Sequence, residues 1–227
     1  VMVQQNYRWD NAVRNIQPSF LRGYIYEYNG EQDCLFPGGK EYRWADLRSF
    51  RFESERVQKI NKNNQPNDVY LKPDGERRGL IYTYFKDLNG WYNISSTENN
   101  NPFWQLDYAN VYFTYIPTNN QPYLGKDLFL SGAIMNNTLN DSSKMIFNNE
   151  KGLYEKTLLL KQGYYSYTYV TKEQNTRISN ADVLQTDGSF WETENDYCIF
   201  VYFRSLSGRH DELVGFTTIN SRGGRSF

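Results

Sequence analysis

The sequence predicts an all-β protein of two β-sandwich domains, the second immunoglobulin-like. Three observations point there. Aromatic residues make up 17% of the 227 residues, with 20 Tyr and 14 Phe, and such side chains fit pleated, half-buried surfaces. Apolar positions recur with period 2, and no stretch keeps a helical period. Turn-forming and Asn-rich stretches separate the apolar runs, which gives the low mean hydropathy of -0.78.

Taken in order, strands are expected at Val1–Val3, Phe20–Tyr28, Leu47–Ile60, Val69–Leu71 and Leu80–Lys86 in the first half. Within Phe20–Tyr28, Tyr24 and Tyr26 share one face and Leu21 and Ile25 the other. Pro37-Gly38-Gly39 carries turn chemistry, a fixed φ followed by permissive ones. Asn89-Gly90 suits a tight hairpin between Tyr82–Lys86 and Trp91–Ile94. Four Asn-rich stretches, Asn61–Asp68, Ser95–Pro102, Thr118–Pro122 and Asn136–Ser143, read as loops. The second of them is the expected boundary, dividing the chain into domains 1–105 and 106–227.

The second half predicts strands at Asn110–Ile116, Asp127–Ser131, Met145–Asn148, Leu153–Leu160, Tyr164–Thr171, Tyr197–Arg204 and Leu213–Ile219, the number an immunoglobulin-like sandwich needs. Leu153–Thr171 reads as a hairpin through Lys161-Gln162-Gly163, with Gly163 able to take φ > 0. On the return strand Tyr165, Tyr167 and Tyr169 share a face and are expected inside the sandwich.

Composition limits function. The formal net charge is -1, so no global field favours nucleic acid or an anionic membrane. No stretch reaches the ~18 apolar residues of a membrane helix. Cys34 and Cys198 are too few for a disulfide framework; they read as buried thiols in different domains. The opening Val1-Met2-Val3 reads as mid-strand, so a piece of a longer chain is expected.

Catalytic and metal chemistry finds little footing. The single histidine, His210, lies in a polar turn, Ser207–Asp211, without a Gly-x-Ser-x-Gly elbow anywhere in the chain. Asp46, Glu53 and Glu55 alternate with Arg48, Arg51 and Arg56, as charge-paired strands do. Glu192, Glu194 and Asp196 form an acidic edge without calcium-loop spacing. One His and two distant Cys do not make a zinc site. No catalytic residue, metal site or cofactor is therefore expected, and no small-molecule ligand either. The sequons at Asn93, Asn136 and Asn140 carry weight only in a eukaryotic secreted protein. The five tryptophans, Trp9, Trp44, Trp91, Trp104 and Trp191, offer rings for contact.

A set of motifs then runs through the chain: Arg8-Trp9-Asp10-Asn11-Ala12; Arg22-Gly23; Phe36-Pro37-Gly38-Gly39-Lys40-Glu41-Tyr42-Arg43; Asp46-Leu47-Arg48-Ser49-Phe50-Arg51; Ser54-Glu55-Arg56; Glu150-Lys151-Gly152; Thr157–Tyr165; and Glu192-Thr193-Glu194-Asn195. Together they resemble the C-terminal part of the type IX secretion system plug protein family of Bacteroidota. That resemblance implies a non-catalytic periplasmic protein at the inner face of the outer membrane, peripheral to the membrane at most. Its implied partner is the outer-membrane β-barrel translocon, whose periplasmic mouth it seals. Trp9, Arg43, Trp44 and Trp91 are the expected partner contacts. Locally, Leu128–Gly132 and Leu160-x-x-Gly163-x-Tyr165-x-Tyr167-x-Tyr169 resemble the early-set sandwich of glycogen-binding modules. This gives an alternative, a carbohydrate-binding or adhesive module, with Trp104 and Trp191 as stacking residues. Leu139 and Leu153/Tyr154 stand where the sugar-gripping tryptophans of those modules belong.

Overall fold

The alternating segments pair as an all-β protein in the computed structural model, which describes residues 1–30, 34–99, 101, 104–174 and 181–226. Its strands are Met2–Gln5 (β1), Phe20–Arg22 (β2), Ile25–Glu27 (β3), Arg43–Asp46 (β4), Val57–Asn61 (β5), Asn67–Leu71 (β6), Asp74–Gly75 (β7), Tyr92–Asn93 (β8), Tyr108–Ile116 (β9), Lys126–Ser131 (β10), Ile146–Asn148 (β11), Leu153–Lys161 (β12), Tyr164–Glu173 (β13), Asp196–Phe203 (β14), Glu212–Asn220 (β15) and Gly224–Ser226 (β16). Short helical turns stand at Thr118–Asn120 and Ala133–Met135.

The chain forms two compact units, but not the two expected. One comprises Val1–Gly38 with Phe190–Phe227, the other Gly39–Ser189. The predicted cut at 105/106 falls inside the second unit, because β4 pairs with β13 and β6 with β9 across it. Asn100 and Pro102 of the predicted boundary stretch lie outside the described residues. Its Glu98 is tied down instead: Ser49 Oγ donates to it, and so does Arg51 N–H at 3.0 Å. Cys34 and Cys198 belong to the same unit rather than to different ones, the first exposed and the second buried.

The second unit is a sandwich. One sheet has the order β10-β13-β4 with β8 added on β13; the other runs β11-β12-β9-β6-β5 with β7 on β9. β6 and β7 pair parallel to β9, and the other ladders are antiparallel. Leu47, Val69, Val111, Phe113, Leu128, Leu130 and Met145 fill the space between the sheets with Tyr165, Tyr167 and Tyr169. The three tyrosines are buried as expected. Phe113 meets Tyr167 edge-on at 5.1 Å, and Tyr115 meets Tyr169 at 4.7 Å. Such pairs add ~1 kcal/mol each beyond area burial.

The Leu153–Thr171 hairpin is not a hairpin. β12 pairs with β9 and β11, while β13 pairs with β10, β8 and β4, so Gln162-Gly163 carries the chain from one sheet to the other. Gln162 makes the crossing possible although buried. Its N–H donates to Asp107 O at 2.9 Å, and its Oε1 accepts from Asp107 N–H at 3.1 Å. Gly163 is needed for close approach, since a Cβ there would stand 2.7 Å from Asn93 O.

Three other strand expectations also change. Phe20–Tyr28 folds back on itself at Gly23, whose φ of +62° needs glycine, and gives the ribbon β2–β3. Asn89 and Gly90 do take positive φ in a tight turn, but Leu80–Lys86 beside it is not a strand. Leu47–Ile60 is a strand only from Val57 onward, after Asp46 and Ser49 have bonded the backbone of the turn between.

The first unit is built on the sheet β1-β14-β15-β16 and carries the β2–β3 ribbon. β1 is buried along its length. The amides of Gln5, Asn6 and Asn195 fasten it: Gln5 Nε2 donates to Pro37 O at 2.8 Å, Asn6 Nδ2 to Asn195 Oδ1 at 2.8 Å, and Asn195 Nδ2 to Gly38 O at 3.0 Å.

Candidate partner-binding surface

In the first unit, strand alternation places apolar side chains on solvent as well as in the core. Antiparallel partners share a face, and Phe200 stands opposite Phe216 and Tyr202 opposite Leu213. Phe200 lies 5.1 Å from Phe216, 6.4 Å from Tyr202 and 6.0 Å from Trp9. Trp9, Tyr202, Leu213 and Phe216 are exposed. On the same face Met2, opposite Phe200, is buried, as are Gln4 and Cys198 one step further along, so the strip runs from core to surface. The Arg14 guanidinium sits 5.8 Å from the Trp9 ring centre. Beside Trp9 a cleft of about 420 Å³ is lined by Arg14, Tyr202 and Arg204 among others. Arg204 is held by Asp211 through two bonds of 2.7 and 3.0 Å, and hydrogen bonding from that arginine lowers the Asp211 carboxyl pKa.

The β2–β3 ribbon is more open still. Phe20, Leu21, Tyr24, Ile25 and Tyr26 are all exposed, Tyr24 fully. A two-stranded ribbon with apolar residues on both faces is marginal by itself, and apolar patches of this kind mark contact surfaces in soluble domains.

The sequence-predicted contacts divide. Trp9 belongs to the exposed strip. Trp44 and Trp91 flank Ser166 on β13: Trp44 is its β4 partner, and Trp91 O accepts its N–H. Trp44 is half-buried against Phe85, ring centres 5.1 Å apart, and Trp91 is exposed. Arg43 is not a surface contact, being only 4% exposed. Its guanidinium meets Asp187 at 2.6 Å and Asp74 at 3.2 Å, and Nη2 donates to Gly75 O at 2.6 Å. A desolvated arginine without these anions would be prohibitively costly, so it serves the interior of the second unit.

The same cluster gathers several perturbed groups. Asp187 also accepts from Arg77 Nη2 at 2.7 Å, Arg77 Nε at 3.0 Å and Thr168 Oγ1 at 2.6 Å. Burial opposes its charge, but Arg43 and Arg77 more than compensate and hold its pKa down at about 2. Burial, then the Asp74 charge, push the Tyr167 and Tyr169 hydroxyls far up, and both donate to Asp74 Oδ2. Each carboxylate here is occupied by fixed donors, an arrangement that holds structure rather than one that exchanges protons with a substrate.

The other predicted chemistry is scattered. His210 is exposed, 3.6 Å from Glu212. Asp46 is clamped by Arg48, while Glu53 and Glu55 face solvent. Asn220 Nδ2 donates to Glu194 at 2.7 Å and to Asp196 at 2.8 Å, which ties that acidic edge to β15. Among the described residues no three His, Cys, Asp or Glu side chains gather as a metal site would require. Trp104 and Trp191 are 86% and 89% exposed, and neither makes a ring contact with another described residue. Tyr70 and Tyr112 stack at 4.4 Å, each ring covering the other's face.

The strip and the ribbon were hidden in the sequence because their residue types are those of a core. The signal available was that Tyr197–Phe203 is apolar at nearly every position, which no single buried face can absorb.

No family model matches the chain, and no curated protein sequence does. A crystal structure of a hypothetical protein from Parabacteroides merdae ATCC 43184 is similar, with a TM-score of 0.89 at 33% sequence identity. The match covers 96% of this chain and 54% of that one, so the chain spans about half the length of that protein.

Proposed function

We propose that this protein is a non-catalytic binding component that seats the aromatic surface of its first unit on a large protein partner. The observation that carries this reading is the apolar ribbon β2–β3 left in solvent. An enzyme pocket needs convergent polar groups, whereas a docking surface needs exposed aromatic area on a firm support. The motifs from Arg8 to Asn195 give the setting: the periplasmic mouth of the outer-membrane translocon of the type IX secretion system, sealed when no cargo passes. Likeness to a Parabacteroides protein is in keeping with that setting. Sealing asks for a rigid body with broad contact, and a sandwich cross-tied by Arg43, Asp74 and Asp187 supplies rigidity.

The test is recovery of the tagged full-length protein from outer-membrane extract, with translocon identified by mass spectrometry. Charged substitutions Tyr24→Asp and Ile25→Asp should abolish recovery without unfolding the chain, because both side chains are solvent-exposed. A deletion strain whose outer membrane is no leakier, with translocon never co-purifying, would sink the proposal. The carbohydrate reading rests on the isolated rings of Trp104 and Trp191; retention on glucan affinity gels that Trp104→Ala or Trp191→Ala removes would favour it.

A further inference from the structure

In the second unit β12 is flanked unequally. β9 pairs with it from Tyr154 to Lys161 without a break in register. β11 pairs on its other side only from Leu153 to Glu155. Beyond Glu155 no backbone among the described residues is bonded to that edge. Gln162 N–H donates to Asp107 O in the β9 register, so the even-numbered residues of β12 turn their backbone groups to β9. Thr157, Leu159 and Lys161 therefore turn theirs outward. The run reads Thr-Leu-Leu-Leu-Lys, without glycine, proline or bulge. Thr157 and Leu159 are exposed, and Leu158 and Leu160 are half-buried against the core. Lys156, a charge placed to guard the edge, is itself half-buried, with Nζ donating to Asp141 O at 3.3 Å. An apolar edge with so little protection is a template for a further strand.

β11 decides which strand fits. It fills the line beside β12 as far as Ile146, opposite Glu155. An incoming antiparallel strand has room opposite Lys156–Lys161 and must then leave the sheet. β12 itself does so, since after Lys161 the chain turns at Gln162-Gly163 into the other sheet. We infer that Thr157–Lys161 joins a second copy of this chain, β12 against β12, about a two-fold axis through Leu159. In that register Leu159 meets the copy's Leu159, Leu158 meets Leu160, and Thr157 meets Lys161, so no like charges are opposed. The residues whose backbone groups turn outward meet one another. A shift of two residues one way drives the copy's Lys161 onto Glu155, where β11 already stands; the other way it leaves Thr157 without a partner. The copy's Gln162 comes opposite Lys156, beside a cleft of about 560 Å³ lined by Ile146, Phe147, Glu155, Lys156 and Thr157 among others. The inference goes beyond the docking reading, since it concerns the second unit and needs no translocon.

Sedimentation of the whole chain up to about 1 mM tests it, with disulfide cross-linking to read the register. So short a ladder makes a weak dimer, with a dissociation constant on the order of 100 μM. Thr157→Pro removes an outward N–H that β9 does not use, and Leu159→Lys sets two lysines face to face. Each should weaken the dimer at least about tenfold, while β9 amides keep their native exchange and so show the sheet still folded. In a Cys34→Ser background, Leu159→Cys should cross-link to itself under mild oxidation, and Thr157→Cys should not, because its partner is Lys161. Thr157→Cys combined with Lys161→Cys should cross-link again. A chain that stays monomeric at about 1 mM overturns the proposal. So does a dimer that either Thr157→Pro or Leu159→Lys leaves intact, and so does equal self-cross-linking of Thr157→Cys and Leu159→Cys. None of these substitutions touches Tyr24 or Ile25, so a failure here is distinct from a failure of the docking reading.

Discussion

Asp187→Asn removes the charge from a fully enclosed carboxylate in the second unit and leaves its shape. The consequence can be worked from its surroundings. Two guanidiniums and the Thr168 hydroxyl hold the native carboxyl pKa at about 2, against 3.8 for the free group. A shift of roughly two units corresponds to about 2 to 3 kcal/mol of folding free energy at neutral pH. The sign follows from the direction. A depressed native pKa favours folding above the unfolded-state value, and the contribution fades as pH falls through 3.8 toward 2. Roughly half of it remains at pH 3. Asp187→Asn should therefore cost about 2 to 3 kcal/mol at pH 7 and about half as much at pH 3. Asp187→Ala, which also removes the oxygen acceptors and leaves Arg43 short of a partner, should cost ~3–5 kcal/mol at pH 7. Urea unfolding followed by tryptophan fluorescence, repeated across pH 3–7, measures both. A gap below about 0.5 kcal/mol at pH 7, or one that does not change with pH, would refute the claim that this carboxylate is held charged by its arginines.

Three further outcomes are expected. Gly38→Ala should destabilise the first unit by at least ~1–3 kcal/mol, since the new Cβ would stand 2.3 Å from Phe190 O, a backbone atom; urea melts of the variant measure it. Gly163→Ala should destabilise the second unit by a similar amount, because its Cβ would meet Asn93 O at 2.7 Å, and amide exchange in β12 and β13 should rise accordingly. Tyr167→Phe and Tyr169→Phe should each cost about 1–3 kcal/mol, and the double variant should depart from additivity by at least ~0.5 kcal/mol, because both hydroxyls share Asp74 Oδ2.

Local rules reached as far as single strands. The alternation that put Tyr165, Tyr167 and Tyr169 inside is a property of consecutive residues, and it held in the structure. Pairing is not local. Nothing within Lys161-Gln162-Gly163 distinguishes a turn between neighbours in one sheet from a crossing between two; the difference lies in Asp107 and Asn93, far along the chain. Arg43 reads as a surface cation among Tyr42 and Trp44 until Asp187 and Asp74 are brought to it. Tyr24 and Ile25 alternate like core residues, yet the fold closes without using them. The unit boundary was missed for a related reason. Pro37-Gly38-Gly39 is a turn by composition, and that the chain there enters a second unit depends on Phe190 meeting Gly38. Composition flagged Ser95–Pro102 instead, a stretch anchored through Glu98.

The division at Gly38 and Ser189 has a consequence for the order of assembly. The first unit draws on residues 1–38 and 190–227, with the whole second unit intervening. Joining those halves across a disordered span of that length would cost on the order of 4–5 kcal/mol in loop entropy. Once Gly39–Ser189 has folded, its two termini are held together, with Gly39 N–H donating to Ser189 Oγ at 3.4 Å, and most of that cost is already met. During synthesis residues 1–38 must wait for β14 and β15, so the buried strand Met2–Gln5 spends that interval without its sheet. The second unit is thus a scaffold in time: its completion is what makes closure of the first affordable.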